Sequence, residues 1–163
     1  MSQSKPSILV LCTGNSARSQ MARAYLDREL EGEVRVYSAG TSPAEHIHPL
    51  TVKVLEEDGF DLAGQRPVSY EEYLGRIPVQ TLVIVCGGAD KACPSVWPGV
   101  LERLFWPFED PAAFEGSDEE KVTKFRAVRD AIRAQAEAYA RDRSSQPPAG
   151  APAAGAPAAG ASA

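Results

Sequence analysis

The sequence predicts an α/β fold of three layers (αβα), with a small parallel four-stranded sheet between helices. Three observations point there. Strand-sized apolar runs alternate with helix-like amphipathic stretches along most of the chain. Two of those runs, "SILVL" and "TLVIVC", are continuous and rich in Val, Ile and Leu, as strands covered on both faces are. Proline, glycine and capping signals sit between the stretches and mark where each stops.

The first strand is expected at residues 7–11, directly before Cys12. A helix follows the Cys12 loop and stops near Gly32, with Ala22, Tyr25, Leu26 and Leu30 at helical spacing. "VRVYSAG" at 34–40 reads as a second, weaker strand. The next helix begins around Pro49, a favoured first-turn residue, and ends at Gly59, a favoured C-cap. "SYEEYLGRI" at 69–77 reads as a short helix, "TLVIVC" at 81–86 as the third strand and "RLFWPF" at 103–108 as the fourth. The last helix carries a capping box, Ser117 with Glu120. Behind it Val122, Phe125, Val128, Ile132, Ala136 and Tyr139 recur on one face. The order β-α-β-α-β-β-α, with right-handed crossovers, gives the parallel sheet. Ligands of such sheets sit at strand carboxyl ends where the strand order reverses, and the Cys12 loop is at such an end.

Within the 163 residues, positions 1–143 form one domain large enough to bury a core. Positions 144–163 have no charge, no aromatic and no large aliphatic residue, and are expected to be a disordered Ala/Pro/Gly-rich tail. A net charge of -5 argues against nucleic-acid binding, and no run is long enough to span a membrane. The polar start passes straight into a short strand, without a signal peptide, so a cytoplasmic location is expected. Three cysteines in that reducing compartment suit chemistry better than scaffolding. The chain is expected to act as a monomer.

"LVLCTGNSARSQMARAYL" places a cysteine between a strand and a helix, with an arginine six positions on. Gly14 is expected to make a tight turn with positive φ, letting the backbone N–H groups of Thr13, Gly14, Asn15, Ser16, Ala17, Arg18 and Ser19 converge. The helix N-terminus adds unpaired donors and a positive dipole. Arg18 offers a bidentate fork to two oxygens of a tetrahedral anion. The same field favours Cys12 as thiolate, the nucleophilic form. Ser19 is placed to donate to that sulfur and Asn15 to brace the loop. The plain alternative is a buried cysteine before an ordinary capped helix; the joint occurrence of all these residues argues against it.

"VLCTGNSARSQMA" resembles the active-site loop shared by low-molecular-weight protein tyrosine phosphatases and thioredoxin-coupled arsenate reductases. "VYSAGTSP", "VIVCGGADKACP", "FWPFEDPAAFEGSDEEK" and "FRAVRDAI" resemble the reductase branch, in order, across most of residues 7–143. The resemblance implies a low-molecular-weight phosphotyrosine phosphatase-like fold and reduction of arsenate to arsenite. In that scheme Cys12 forms a thiol–arsenate adduct, Cys86 attacks Cys12 as arsenite leaves, and Cys93 attacks Cys86. Thioredoxin, itself reduced by NADPH through thioredoxin reductase, would then reduce the Cys86–Cys93 disulfide. No bound cofactor is implied. Were 86–93 a regular helix, the two Cα atoms would lie about 10 Å apart. A disulfide needs less than about 7 Å, so the segment must change shape, and Gly87 and Gly88 allow that. Without the relay, Cys86 is a small core residue and Cys93 incidental.

Asp110, before Pro111, matches the family's acid and would protonate the leaving group, with Glu109 as the fallback and a surface Asp-Pro turn as the plain alternative. Some reductases of this branch bind potassium through Asn, Glu, Ser and Asp oxygens. Here Asn15 and Ser38 match, but Arg23 occupies the glutamate position and "QRPVS" lacks the acidic residue, so no potassium or other metal site is expected. Arg23 is expected to stabilise the loop instead. Ala17 stands where many relatives carry a further cysteine. His46 and His48 are a thin metal signal and read as a solvated loop leading into the Pro49 helix. Trp97 and Trp106 read as packing residues.

Three rivals remain open. One is a low-molecular-weight protein tyrosine phosphatase, with which a reductase would share weak phosphatase activity. Another is a reductase passing arsenic to mycothiol or glutathione, for which Cys86 and Cys93 are dispensable. The third is a non-catalytic oxyanion binder.

Overall fold

The computed structural model describes residues 5–85 and 99–144. The tail expected at 144–163 falls outside them except for Ser144, with which the last helix closes, and Cys86, Cys93 and Trp97 also lie outside. The elements are β1 (Ser7–Cys12), α1 (Arg18–Glu29), β2 (Arg35–Gly40), α2 (Pro49–Glu56), β3 (Thr81–Ile84), β4 (Glu102–Phe105) and α3 (Asp118–Ser144), with 3₁₀ turns at Tyr70–Glu72 and Pro111–Ala113.

The four strands form one sheet in the order β2-β1-β3-β4, every pair parallel. From β1 the chain goes outward to β2, then returns to β1's other side as β3. The carboxyl end of β1 is therefore the point where strand order reverses, and Cys12 stands there. All six residues of β1 and all four of β3 are buried. Successive strand residues face opposite sides, so the inner strands are covered on both faces, as their continuous apolar sequence requires.

The α1 residues Ala22, Tyr25 and Leu26 and the α3 residues Phe125, Ile132 and Ala136 are buried to 1 % exposure or less. α1 and α2 both pack on α3. The capping box forms as the sequence predicts: Ser117 Oγ accepts from the Glu120 N–H at 3.1 Å, and the Glu120 carboxylate accepts from the Ser117 N–H at 2.8 Å.

Several boundaries differ from expectation: α1 stops at Glu29 and β3 at Ile84, each short of its expected end. α2 stops at Glu56, and residues 57–59 form a turn that ends with Gly59 at φ 91°. Residues 69–77 hold only one 3₁₀ turn, stopped before Gly75 at φ 77°. β4 ends at Phe105, although Trp106 N–H still reaches Ile84 O at 2.8 Å and Phe108 N–H reaches Val85 O at 3.4 Å; Pro107 between them lacks only a donor that would face the open edge of the sheet.

Candidate functional site

The loop from Cys12 to Ala17 turns its carbonyl groups outward. Cys12 O accepts from Thr41 N, Thr13 O from Ser42 N, Gly14 O from Ala44 N and Ser16 O from His48 N, all within 3.1 Å. Asn15 O accepts from the Gln20 side chain at 3.0 Å, and Ala17 O from Met21 N at 3.0 Å. With the carbonyls tied to the protein, the peptide N–H groups face the other way, into a common space. Those of Gly14, Ser16 and Ala17 have no protein partner among the described residues. Ala17, at the N-cap of α1, supplies no side-chain cap, so the donors of the first helical turn open onto the same space. Such an arrangement can cradle an anion.

Asn15, not Gly14, takes the left-handed conformation, at φ 53°. The expectation of a positive φ at Gly14 is corrected: asparagine tolerates this region because its short polar side chain bonds locally, and here that side chain is fully engaged. Its Oδ1 accepts from Val68 N at 2.9 Å and from Gln20 Nε2 at 3.2 Å, which fixes the amide so that Nδ2 donates to Ser19 Oγ at 2.7 Å. Gly40 is the glycine the loop cannot replace. A Cβ there would stand 2.4 Å from Thr13 O, where the end of β2 passes against the loop.

Cys12 is buried at the end of β1. Its sulfur receives the Asn15 N–H at 3.1 Å and lies 2.9 Å from Ser19 Oγ. Because Ser19 Oγ already accepts from Asn15, its own proton is available to the sulfur. Two donors on one sulfur, beside a helix N-terminus, favour the thiolate.

Arg18 leaves the first turn of α1 with its side chain only 14 % exposed. It donates from Nη1 to Phe108 O at 3.1 Å, and Nη2 lies 3.5 Å from Asp110 Oδ2. The other oxygen of Asp110 accepts from Ala112 N at 3.0 Å, so Asp110 also caps the turn Pro111–Ala113. The sequence left Glu109 as a fallback for the acid. The structure separates the two, since Glu109 pairs with Lys124 on α3 at 2.6 Å while Asp110 stands at the arginine.

His48 is not a solvated loop residue. It is half-buried at the N-cap of α2, its Nδ1 accepts from Leu50 N at 3.1 Å, and its ring packs on Phe125 at 4.7 Å. Burial lowers its pKa below 6.5, with nearby Lys121 acting the same way and Asp110 opposing. His46 stays exposed, and no cluster of metal-ligating side chains occurs among the described residues. Trp106 is buried against Tyr139 at 5.8 Å.

Ser38 and Arg23 line a cavity of about 280 Å³ beside β2, together with Gln65, Arg66, Val68 and Tyr73. Among the described residues no carboxylate lines it, and Asn15 Oδ1 is already occupied by two N–H donors. This donor set does not fit a potassium ion.

Residues 7–146 match the family of low molecular weight phosphotyrosine protein phosphatases. The chain belongs to that family. The relatives that share most of its length are more narrowly defined. An arsenate reductase of Halalkalibacterium halodurans is 41% identical over 136 residues, covering 83% of this chain and 96% of its own. A solved arsenate reductase in a phosphate-binding state is 26% identical, with a TM-score of 0.65, covering 84% of this chain and 98% of its own. The thioredoxin-dependent arsenate reductase of Corynebacterium glutamicum is 26% identical, with a TM-score of 0.58, covering 85% of this chain and 65% of its own. No described helix is long and apolar enough to cross a membrane.

Gln20, Val68, Phe108 and Gly40 were not legible as site residues. The partners of Val68 and Phe108 lie 53 and 90 positions away, beyond any local spacing rule. Gly40 stood in a motif of the family resemblance, which offered a signal without a reason.

Proposed function

We propose that the chain reduces arsenate to arsenite, with Cys12 as nucleophile and Cys86 and Cys93 as a disulfide relay. The observation that carries the reading is the Cys12 sulfur held by two donors at the start of a loop whose N–H groups are left open, with Arg18 and Asp110 paired at the end of that loop. The curated relative from Halalkalibacterium halodurans supports arsenate as the substrate.

Arsenate binds with its oxygens on the loop N–H groups and on Arg18, exchanging Asp110 for substrate at the guanidinium. Cys12 thiolate attacks arsenic(V) and a hydroxyl leaves as water, taking its proton from Asp110. Cys86 thiolate then attacks the Cys12 sulfur. The S–As bond breaks with its electron pair going to arsenic, which departs as arsenite and leaves a Cys12–Cys86 disulfide. Cys93 attacks Cys86, freeing Cys12 and forming Cys86–Cys93. A thioredoxin dithiol takes up the two oxidising equivalents; the Corynebacterium glutamicum relative supports that donor.

The test is arsenite release with thioredoxin, thioredoxin reductase and NADPH, comparing wild type with Cys93→Ser. The relay predicts steady turnover in the first and at most a single turnover in the second. Equal multiple turnover in both removes the relay. Steady turnover with glutathione or mycothiol alone, independent of Cys86, assigns the chain to the small-thiol scheme. Phosphate-ester hydrolysis uses the same Cys12, Arg18 and Asp110 and is expected as a weak side activity.

A further inference from the structure

We propose that the cavity between α1 and β2 is a second anion site, taking a small tetrahedral dianion between Arg23 and Arg66 and separate from the Cys12 cradle. Arg23 is half-buried, and no hydrogen-bond or ion-pair partner is found for it among the described residues. A partly desolvated guanidinium without a counter-charge is unfavourable, and an anion in the adjoining 280 Å³ space supplies one. Arg66 brings a second fork to the same space. Its link to Glu72, 3.4 Å long, is between side chains 66% and 46% exposed, a weak competitor for a dianion that engages both arginines.

The neutral lining suits the same ligand. The Ser38 hydroxyl has no hydrogen-bond partner among the described residues, and Gln65 adds an amide. Burial raises the pKa of Tyr73 above its ordinary 10.0, so its phenol stays protonated. The site is distinct from the catalytic cradle because Arg23 lies five residues beyond Arg18, about 140° further around the helix. It is nevertheless linked to it. Val68 lines the cavity while its N–H holds Asn15 Oδ1 and its carbonyl accepts from Gly40 N at 2.8 Å. Anion binding between Arg23 and Arg66 therefore steadies the segment that holds Asn15 in its left-handed conformation.

Inorganic sulfate is the probe. In the full chain carrying Arg18→Ala, which weakens the catalytic cradle, millimolar sulfate at fixed ionic strength should still raise Tm, by about 4 °C at ten times Kd. Adding Arg23→Ala should remove that rise, and adding Arg66→Ala should reduce it. Exchanging sodium for potassium should change nothing. Selenate diffused into wild-type crystals should give a selenium signal between Arg23 and Arg66 besides one at Arg18. The proposal is overturned by a sulfate response that vanishes with Arg18→Ala alone, that survives Arg23→Ala, or that needs molar sulfate. A potassium-specific rise in Tm, or selenate only at Arg18, overturns it equally. These outcomes do not depend on Cys86 or Cys93, so failure here leaves the relay untouched.

Discussion

Ser19 Oγ stands 2.9 Å from the Cys12 sulfur and receives the Asn15 amide at 2.7 Å, so the serine proton is directed at the thiol. Ser19→Ala removes that donor, while the Asn15 N–H stays on the sulfur. A charge-assisted hydrogen bond of this kind is worth about 1.5–3 kcal/mol. The variant should titrate its thiol at higher pH and attack arsenate more slowly on the acid side of that titration, where the wild-type sulfur is still ionised. Thiolate absorbance against pH checks the first and rapid-mixing kinetics the second. An unchanged titration would detach Ser19 from the nucleophile.

Asn15 combines a left-handed backbone with four side-chain and main-chain links, to Val68, Ser19, Gln20 and the Cys12 sulfur. Asn15→Ala loses the amide contacts and keeps a Cβ in an unfavourable conformation. The expected cost is about 3 kcal/mol of stability, read as a lower urea midpoint at unchanged slope. Asn15→Gly relieves the backbone and loses the same hydrogen bonds, so it should fall between wild type and alanine.

What the sequence made legible was local. Cys12, Arg18 and Ser19 sit within eight consecutive residues, and a strand followed by a helix fixes their mutual placement. The α3 cap is a three-residue relation and was readable for the same reason. Positive φ fell on Asn15 where glycine looked the natural host, because distant Val68 rewards the asparagine side chain. His48 appeared solvated because nothing nearby announces Phe125, 77 positions on, as the ring it packs against. The pairing of Arg23 with Arg66 around one cavity required the fold.

Asp110 and Glu109 are adjacent carboxylates with different partners, and exchange of each should separate their roles. Asp110→Asn keeps a group that can accept from Ala112 N and cap the turn, yet cannot give a proton to a leaving hydroxyl. It should lower single-turnover adduct formation about 10²–10³-fold. Glu109→Gln loses only an exposed pair with Lys124 and should stay within about twofold of wild type. Comparable losses in both would remove Asp110 from its special place.

Stability should fall in two steps as pH decreases. His48 is kept neutral in the folded chain by burial, while the unfolded chain takes up a proton near the ordinary value of 6.5. Its contribution is complete above that value and declines below it, ending at the lower pKa of the folded form. Protonation would also cost Nδ1 its role as acceptor for Leu50 N at the start of α2. The second step belongs to the end of α2. The hydrogen bond from Tyr25 holds Asp58 below 3.8, and Arg126, with Arg129, holds Glu57 below 4.5. Both carboxylates favour the folded state above their ordinary pKa values, and that contribution is lost as pH falls through the folded ones. His48→Ala should therefore flatten the urea midpoint as pH falls below 6.5 while keeping the drop below about 4.5. Asp58→Asn should do the reverse, shrinking the acid step and leaving the upper one. If His48→Ala tracks the wild-type slope as pH first falls below 6.5, the upper step has another origin.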